Sequence, residues 1–204
     1  MSEKSTQPDR PRLIVGISGA SGAIYGVRLL ELLRDRDVET HLIMSRAAQI
    51  TLAYETNLKV ADVERLATVV HPYNDIAASC SSGSFKTMGM IIAPCSIRTM
   101  SEVATGITSN LLSRSADVVL KERRRLVLLL RETPLHIGHI RTMGAVTEAG
   151  AIIYPPVPAF YAIPKSFSDM VDHTLGRVLD LFDIDIGKVR RWTGEKGRPA
   201  DKPK

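Results

Sequence analysis

Cysteine is scarce in this sequence: Cys80 and Cys95 are the only two among 204 residues, they form no C-x-x-C pair, and no Cys/His group has zinc-ligand spacing. A disulfide-stapled scaffold and a zinc ribbon are therefore excluded as expectations. Free thiols in a reducing compartment follow, which places the chain in the cytoplasm. Long apolar runs are missing as well. Stretches such as Leu126–Leu130 fall far below the roughly 18 to 20 residues of a membrane span. Residues 1–12 are polar, carry charges of both signs and have no apolar run behind them, so they do not read as a signal peptide.

What is present is an ordinary globular composition, 44% hydrophobic and 24% charged. The length suits one domain, or at most two small ones, with a full core. The formal charge is +5, which raises the question of a nucleic-acid or acidic-membrane partner. Its location argues against both. Residues 188–204 hold seven basic side chains against two acidic ones, and residues 1–12 hold three against two, so the body between them is close to neutral. The basicity belongs to a tail expected to be solvated and disordered. No nucleic-acid and no membrane partner is predicted.

Short apolar runs alternate with helical periodicity. Strands are predicted at Leu13–Ile17, Val38–Met44, Gly89–Ala93 (ended by Pro94), Leu126–Leu130 and Ala151–Tyr154. Helices are predicted from Ile24 to Arg34, Arg46 to Tyr54, Val60 to Val70, from Ile97 with a break near Gly106–Asn110, Ser115 to Arg124, His136 to Ala149, and Ser168 to Phe182 with Ser166 or Ser168 as its cap. Four prolines make residues 155–164 an irregular connection. Strands apolar on both faces and separated by helices define a single-domain, three-layer α/β/α Rossmann-like parallel sheet. In such sheets ligands bind outside the carboxyl ends of the strands, so the segments that follow each strand carry the functional signal.

After the first strand comes Gly16-Ile-Ser-Gly19-Ala-Ser-Gly22-Ala, opening a helix. Its spacing is neither the dinucleotide G-x-G-x-x-G nor a P-loop. It is either a tight turn that binds nothing or a cradle for phosphate, with helix amides pointing at the anion. Ser45 ends the second strand as a helix cap or a ligand contact. The third runs into Pro94-Cys95-Ser96-Ile97-Arg98-Thr99, a plausible site for an anion or a polar ring, with Cys95 read as a buried spectator thiol. The fourth runs into Arg131-Glu132-Thr133-Pro134: either a self-satisfied ion pair, or an anion-binding arginine beside a carboxyl with a raised pKa that exchanges protons. His136 and His139 read as capping or solvated residues rather than metal ligands, and no metal is predicted. Trp192, the only tryptophan, reads as packing.

Taken together, Leu13-Ile-Val-Gly-Ile-Ser-Gly-Ala-Ser-Gly-Ala-Ile-Tyr-Gly-Val, Ser-Ser-Gly-Ser-Phe85, Pro94-Cys-Ser-Ile, Ala116-Asp-Val-Val-Leu-Lys-Glu-Arg-Arg, Arg131-Glu-Thr-Pro-Leu-His, Pro-Pro-Val-Pro-Ala-Phe-Tyr161 and Arg191-Trp192 closely resemble the UbiX-type flavin prenyltransferases, once described as aromatic-acid decarboxylase subunits. The resemblance covers nearly the whole chain, giving a flavoprotein domain over 12–194 with flexible tails at 1–11 and 195–204. Arg125 stands where the family has proline. The resemblance implies a flavodoxin-like Rossmann fold and a homododecamer with sites at subunit contacts. It implies transfer of the dimethylallyl group of dimethylallyl monophosphate to N5 and C6 of reduced FMN, without a metal, for use by a UbiD-type decarboxylase. It further implies that Gly19, Ala20, Ser21, Ser45, Ser96, Ile97, Arg98, Thr99 and Arg131 hold FMN, and that Tyr161, Arg177, Lys121 and Trp192 meet the prenyl phosphate. Glu132, Lys121, Glu55 and Ser21 take part in the chemistry. An FMN-dependent decarboxylase and a non-catalytic FMN carrier are the alternatives.

Overall fold

A computed structural model describes residues 10–191. Six parallel strands run side by side in the order β3-β2-β1-β4-β5-β6. They are β1 (Arg12–Ile17), β2 (Glu39–Met44), β3 (Val69–His71), β4 (Gly89–Cys95), β5 (Arg125–Leu130) and β6 (Ile152–Ile153). Helices α1 (Ala23–Arg34), α2 (Arg46–Glu55), α3 (Val60–Glu64), α4 (Ile97–Thr105), α5 (Leu111–Lys121) and α6 (Ile137–Glu148) connect them. Leu13, Val15 and Ile17 alternate with Ile14 and Gly16 along β1, and all of them are buried, as a strand covered on both faces requires. A side chain at Gly16 would strike Leu112 of α5, whereas one at Gly26 of α1 would strike Ile17 and the Ala93 carbonyl. Helices α1 and α5 thus lie on opposite faces, and the three-layer α/β/α sheet is the predicted one.

The chain divides into two compact units, Met1–Val157 and Pro158–Lys204. The second contains a single helical turn at Phe160–Ala162 and helix α7 (Phe167–Asp180). Ser166 caps α7: its hydroxyl accepts the Asp169 amide at 3.1 Å, and the Asp169 carboxylate accepts the Ser166 amide at 3.1 Å.

Three predicted elements need correction. The helix over Val60–Val70 stops at Glu64, and Val69–His71 is a strand instead. The β-branched pair Val69-Val70 pairs with His41 and Leu42 of β2, and that ladder outcompetes one more helical turn. Strand β4 does not end at Ala93. It continues through Pro94 to Cys95 across a register irregularity after Ile92, where proline's missing N–H costs no ladder bond. Helix α5 begins at Leu111 rather than Ser115, because the Asn110 side chain accepts the Ser113 amide at 3.0 Å and starts the helix a turn earlier.

Candidate active site

The strand order reverses between β1 and β4, and the carboxyl ends of both strands are tied together there. The buried Ser18 hydroxyl donates to the Pro94 carbonyl at 2.9 Å and accepts the Ser96 amide at 2.7 Å. The Arg131 amide, just beyond β5, donates to the Cys95 carbonyl at 3.1 Å, and the Ser45 amide to the Ile17 carbonyl at 3.0 Å. Four strand ends therefore form one rigid edge. Ser45 caps α2 by accepting the Ala48 amide at 3.1 Å, and Ser96 caps α4 by accepting the Thr99 amide at 3.3 Å while its hydroxyl donates to that of Thr99 at 3.2 Å. Glycines make the close approach possible. A side chain on Gly19 would overlap Ala47 of α2, and Gly22, the cap of α1, sits at φ +100°, a left-handed conformation that side chains resist.

The amides at the start of α1 are already occupied. The Glu55 carboxylate, from the end of α2, accepts the Gly22 amide at 2.8 Å and the Ala23 amide at 2.9 Å. Burial pushes the Glu55 carboxyl up, but hydrogen bonds from Ser21 and from those two amides, together with the charge of Arg131, outweigh it and hold the group below the usual carboxylate range. The sequence pattern offered this helix end to a phosphate; a built-in carboxylate takes the place instead. Sequence could not show this, because Glu55 lies 33 residues from Gly22.

Arg131 and Glu132 do not pair with one another. Both are exposed; Glu132 accepts the Thr133 amide at 3.0 Å, and among the described residues the Arg131 guanidinium has no hydrogen-bond or ion-pair partner. The ion-pair reading of this dipeptide falls. An unpartnered guanidinium at a strand end, beside hydroxyls that cap two helices, fits a flavin mononucleotide. Arg98, in the first turn of α4, donates to Glu102 at 3.0 Å. Cys95 is fully buried, and burial raises its thiol far above the usual range, as a spectator requires. His136 caps α6 through Nδ1, which accepts the Gly138 amide at 3.0 Å, and its ring lies tilted against that of His139 with centroids 3.6 Å apart.

Lys121 stands apart from this set. It ends α5, four residues before β5 begins, and therefore lies at the amino edge of the sheet. There it bonds Glu122 at 2.6 Å and lies against Gly83 of the Ser82–Phe85 loop, whose carbonyls Arg124 holds at 2.7 Å. One chain does not bring Lys121 to Arg131.

In the second unit, Tyr161 and Arg177 line one cavity of about 340 Å³ together with Val189, Arg190 and Arg191. Asp180 organises the cationic wall: Arg177 reaches it at 2.7 Å, and Arg191 grips it with two nitrogens at 2.9 and 3.0 Å. The hydrogen bonds from Arg191, against a smaller effect of burial, hold the Asp180 carboxyl below its ordinary range. Tyr161 meets His173 edge to face, with centroids 5.6 Å apart. Arg190 and Arg191, which the sequence reading counts with the basic tail and gives no role at the site, stand in this cavity beside Arg177. Trp192 lies outside the described residues.

A doubly wound sheet with a polar crevice at its switch point defines a nucleotide-binding protein, and the sequence profile of the Flavoprotein family matches residues 1–179. The chain is 56% identical over 191 residues to the flavin prenyltransferase UbiX of Thauera aromatica, covering 94% of this chain and 98% of that one. Among solved structures, AnUbiX (PadA1) in complex with FMN and dimethylallyl pyrophosphate superposes with a TM-score of 0.90 at 51% identity, over 92% of this chain and all of that one. A dodecameric FMN-dependent UbiX-like decarboxylase of Escherichia coli O157:H7 gives a TM-score of 0.87 at 47% identity, over 90% of this chain and all of that one. The chain belongs to the UbiX-type flavin prenyltransferases.

Proposed function

We propose that this chain transfers the dimethylallyl group of dimethylallyl monophosphate to N5 and C6 of reduced FMN, and that the prenylated flavin serves a UbiD-type decarboxylase. The observation that carries the reading is the unpartnered Arg131 guanidinium at the end of β5, on the same sheet edge as the caps Ser45 and Ser96, in a chain 51% identical to a protein crystallised with both FMN and dimethylallyl pyrophosphate. FMN supplies the nucleophilic ring atoms. Arg131, the hydroxyls of Ser21, Ser45, Ser96 and Thr99, and the backbone of Gly19, Ala20, Ile97 and Arg98 bind and orient it. Arg177, with Arg190 and Arg191, neutralises the departing phosphate, and the Tyr161 ring face, with that of Trp192, steadies positive charge on the allyl fragment. Glu132, exposed and bonded only to a neighbouring amide among the described residues, is free to take or give a proton; Glu55 locks Ser21 and the α1 turn in place.

Lys121, at the opposite edge of the sheet from Arg131, is assigned to the phosphate held by a neighbouring copy. A homododecamer, the state named for the Escherichia coli relative, provides such neighbours, and the exposed Ile137 and Ile140 of α6 give them an apolar surface to cover. No helix of the described residues is long and apolar enough to cross a membrane. The two free, buried cysteines support a cytoplasmic location. The relatives' names favour prenyl transfer over direct decarboxylation or passive flavin carriage. Anaerobic incubation with reduced FMN and dimethylallyl monophosphate is expected to yield a flavin heavier by one C5 unit in mass spectrometry. Folded protein that returns only unchanged FMN overturns the assignment.

A further inference from the structure

Away from the carboxyl edge, the fold assembles a cluster that no local spacing announces. His41 lies within β2, His71 ends β3, and Cys80 sits in a short 3-10 turn at Ser79–Ser81. One ligand-type atom from each lies within 4.8 Å of the others, with His41 Nδ1 and His71 Nε2 2.9 Å apart. We propose that His41, His71 and Cys80 form a structural site for a thiophilic divalent cation, with zinc as the expected occupant.

Three features support a built site rather than chance proximity. The far nitrogen of His41, Nε2, lies 2.8 Å from Glu39, whose carboxylate is within 3.5 Å of Arg12. A carboxylate behind an imidazole fixes the tautomer that turns Nδ1 toward a metal, the usual outer support of a histidine ligand. The fully buried Ser115 hydroxyl faces the Cys80 sulfur, where it would hydrogen-bond a thiolate. The surroundings are dry on one side: Phe85 meets the His41 ring edge-on, and Cys80 packs in the core with Ile43 and Ala116, while the half-buried His71 leaves a path for the ion. Tetrahedral zinc, with bonds of about 2.0–2.1 Å to nitrogen and about 2.3 Å to sulfur, needs ligand atoms roughly 3.3–3.7 Å apart, so small rotations suffice. The fourth position falls to water.

The proton balance is definite. The cation takes both imidazoles in their neutral form. The proton shared between them moves to His71 Nδ1, a tautomer shift with no net release. Cys80 binds as thiolate by losing its proton to solvent, one for each cation bound. The ion would staple the three-residue edge strand β3 and the loop after it to β2, a place where pairing alone is weak.

The test strips the reduced protein with a chelator and titrates it anaerobically with Co2+, then Zn2+. The expected result is one Co2+ per chain with a thiolate-to-cobalt charge-transfer band in the near ultraviolet, displaced by Zn2+, and about one proton released. Cys80→Val, an apolar replacement in an apolar pocket, and His71→Ala should both lose the band. Glu39→Gln should keep it with affinity lowered about 10- to 100-fold. Circular dichroism checks that each variant is folded; should Cys80→Val unfold, the half-buried His71 position carries the test. No band at stoichiometric Co2+, or a band that survives in a folded Cys80→Val or His71→Ala, overturns the proposal.

Discussion

The carboxyl edge of the first unit and the cavity of the second handle charge in opposite ways. At the edge, hydroxyls cap helices, a carboxylate fills the helix end that might have drawn an anion, and Arg131 is left as the unpartnered cation among the described groups. In the cavity, three arginines converge with Tyr161, and Asp180 restrains two of them. Under the proposed function, the difference teaches how one chain would separate two phosphorylated ligands. An edge of fixed hydrogen-bond partners selects a large planar molecule by shape, whereas a cluster of guanidinium groups selects a small dianion by charge.

The comparison breaks first, and by the largest factor, at Glu132. As the proton-handling group of the neutral edge, it predicts that Glu132→Ala slows prenyl transfer by about 10²- to 10⁴-fold. FMN affinity, measured by fluorescence quenching, should stay within about a factor of two, because this side chain bonds only the Thr133 amide among the described residues. A loss of rate that merely follows a loss of flavin would show Glu132 to be part of the binding edge.

Next in size is a crossed pair. Losing one hydrogen-bonded charge costs roughly 1.5–3 kcal/mol, or about 10- to 150-fold. Arg177→Ala should raise KM for the prenyl phosphate by that factor and leave FMN binding unaltered, while Arg131→Ala should do the reverse. Added salt should weaken the prenyl phosphate more than the flavin, since a cluster of half-exposed arginines is screened more than buried caps are. If both substitutions weaken the same ligand, the two regions do not divide the work.

Much of this was legible in the sequence, for reasons tied to particular residues. Strands such as Leu126–Leu130 are apolar on both faces, and that pattern admits few alternatives. Ser45 and Ser96 announce themselves as caps by residue type and position. Strand β3 escaped because three residues at a sheet edge carry too little pattern, and Thr68-Val69-Val70 followed a helical stretch without a break. Contacts between residues apart in the chain left no trace: Glu55 of α2 against the start of α1, Arg190 and Arg191 beside Arg177, His41 beside His71 and Cys80. Lys121 misled in the opposite way. Only ten residues separate it from Arg131, yet a full strand lies between them, so nearness in sequence became opposite edges of the sheet.

The smallest effect tests why the start of α1 stays closed to anions. The Glu55 carboxyl is held below its ordinary range in the folded chain, and its unfolded value is about 4.3. A depressed folded pKa means that this group's stabilisation is fully present above the unfolded value and is lost as pH falls through the folded one. Glu55→Gln keeps one acceptor for the Gly22 and Ala23 amides but no charge, so at pH 7 it should cost about 1 kcal/mol, the size of a helix cap with its dipole interaction. That gap, read from urea unfolding at a series of pH values, should close as the wild-type carboxyl protonates. Inorganic phosphate should raise the melting temperature of the variant more than that of the wild type, because the α1 amides no longer face a fixed negative charge. Equal phosphate effects on both proteins would mean that the glycine-rich turn, and not Glu55, determines what the edge admits.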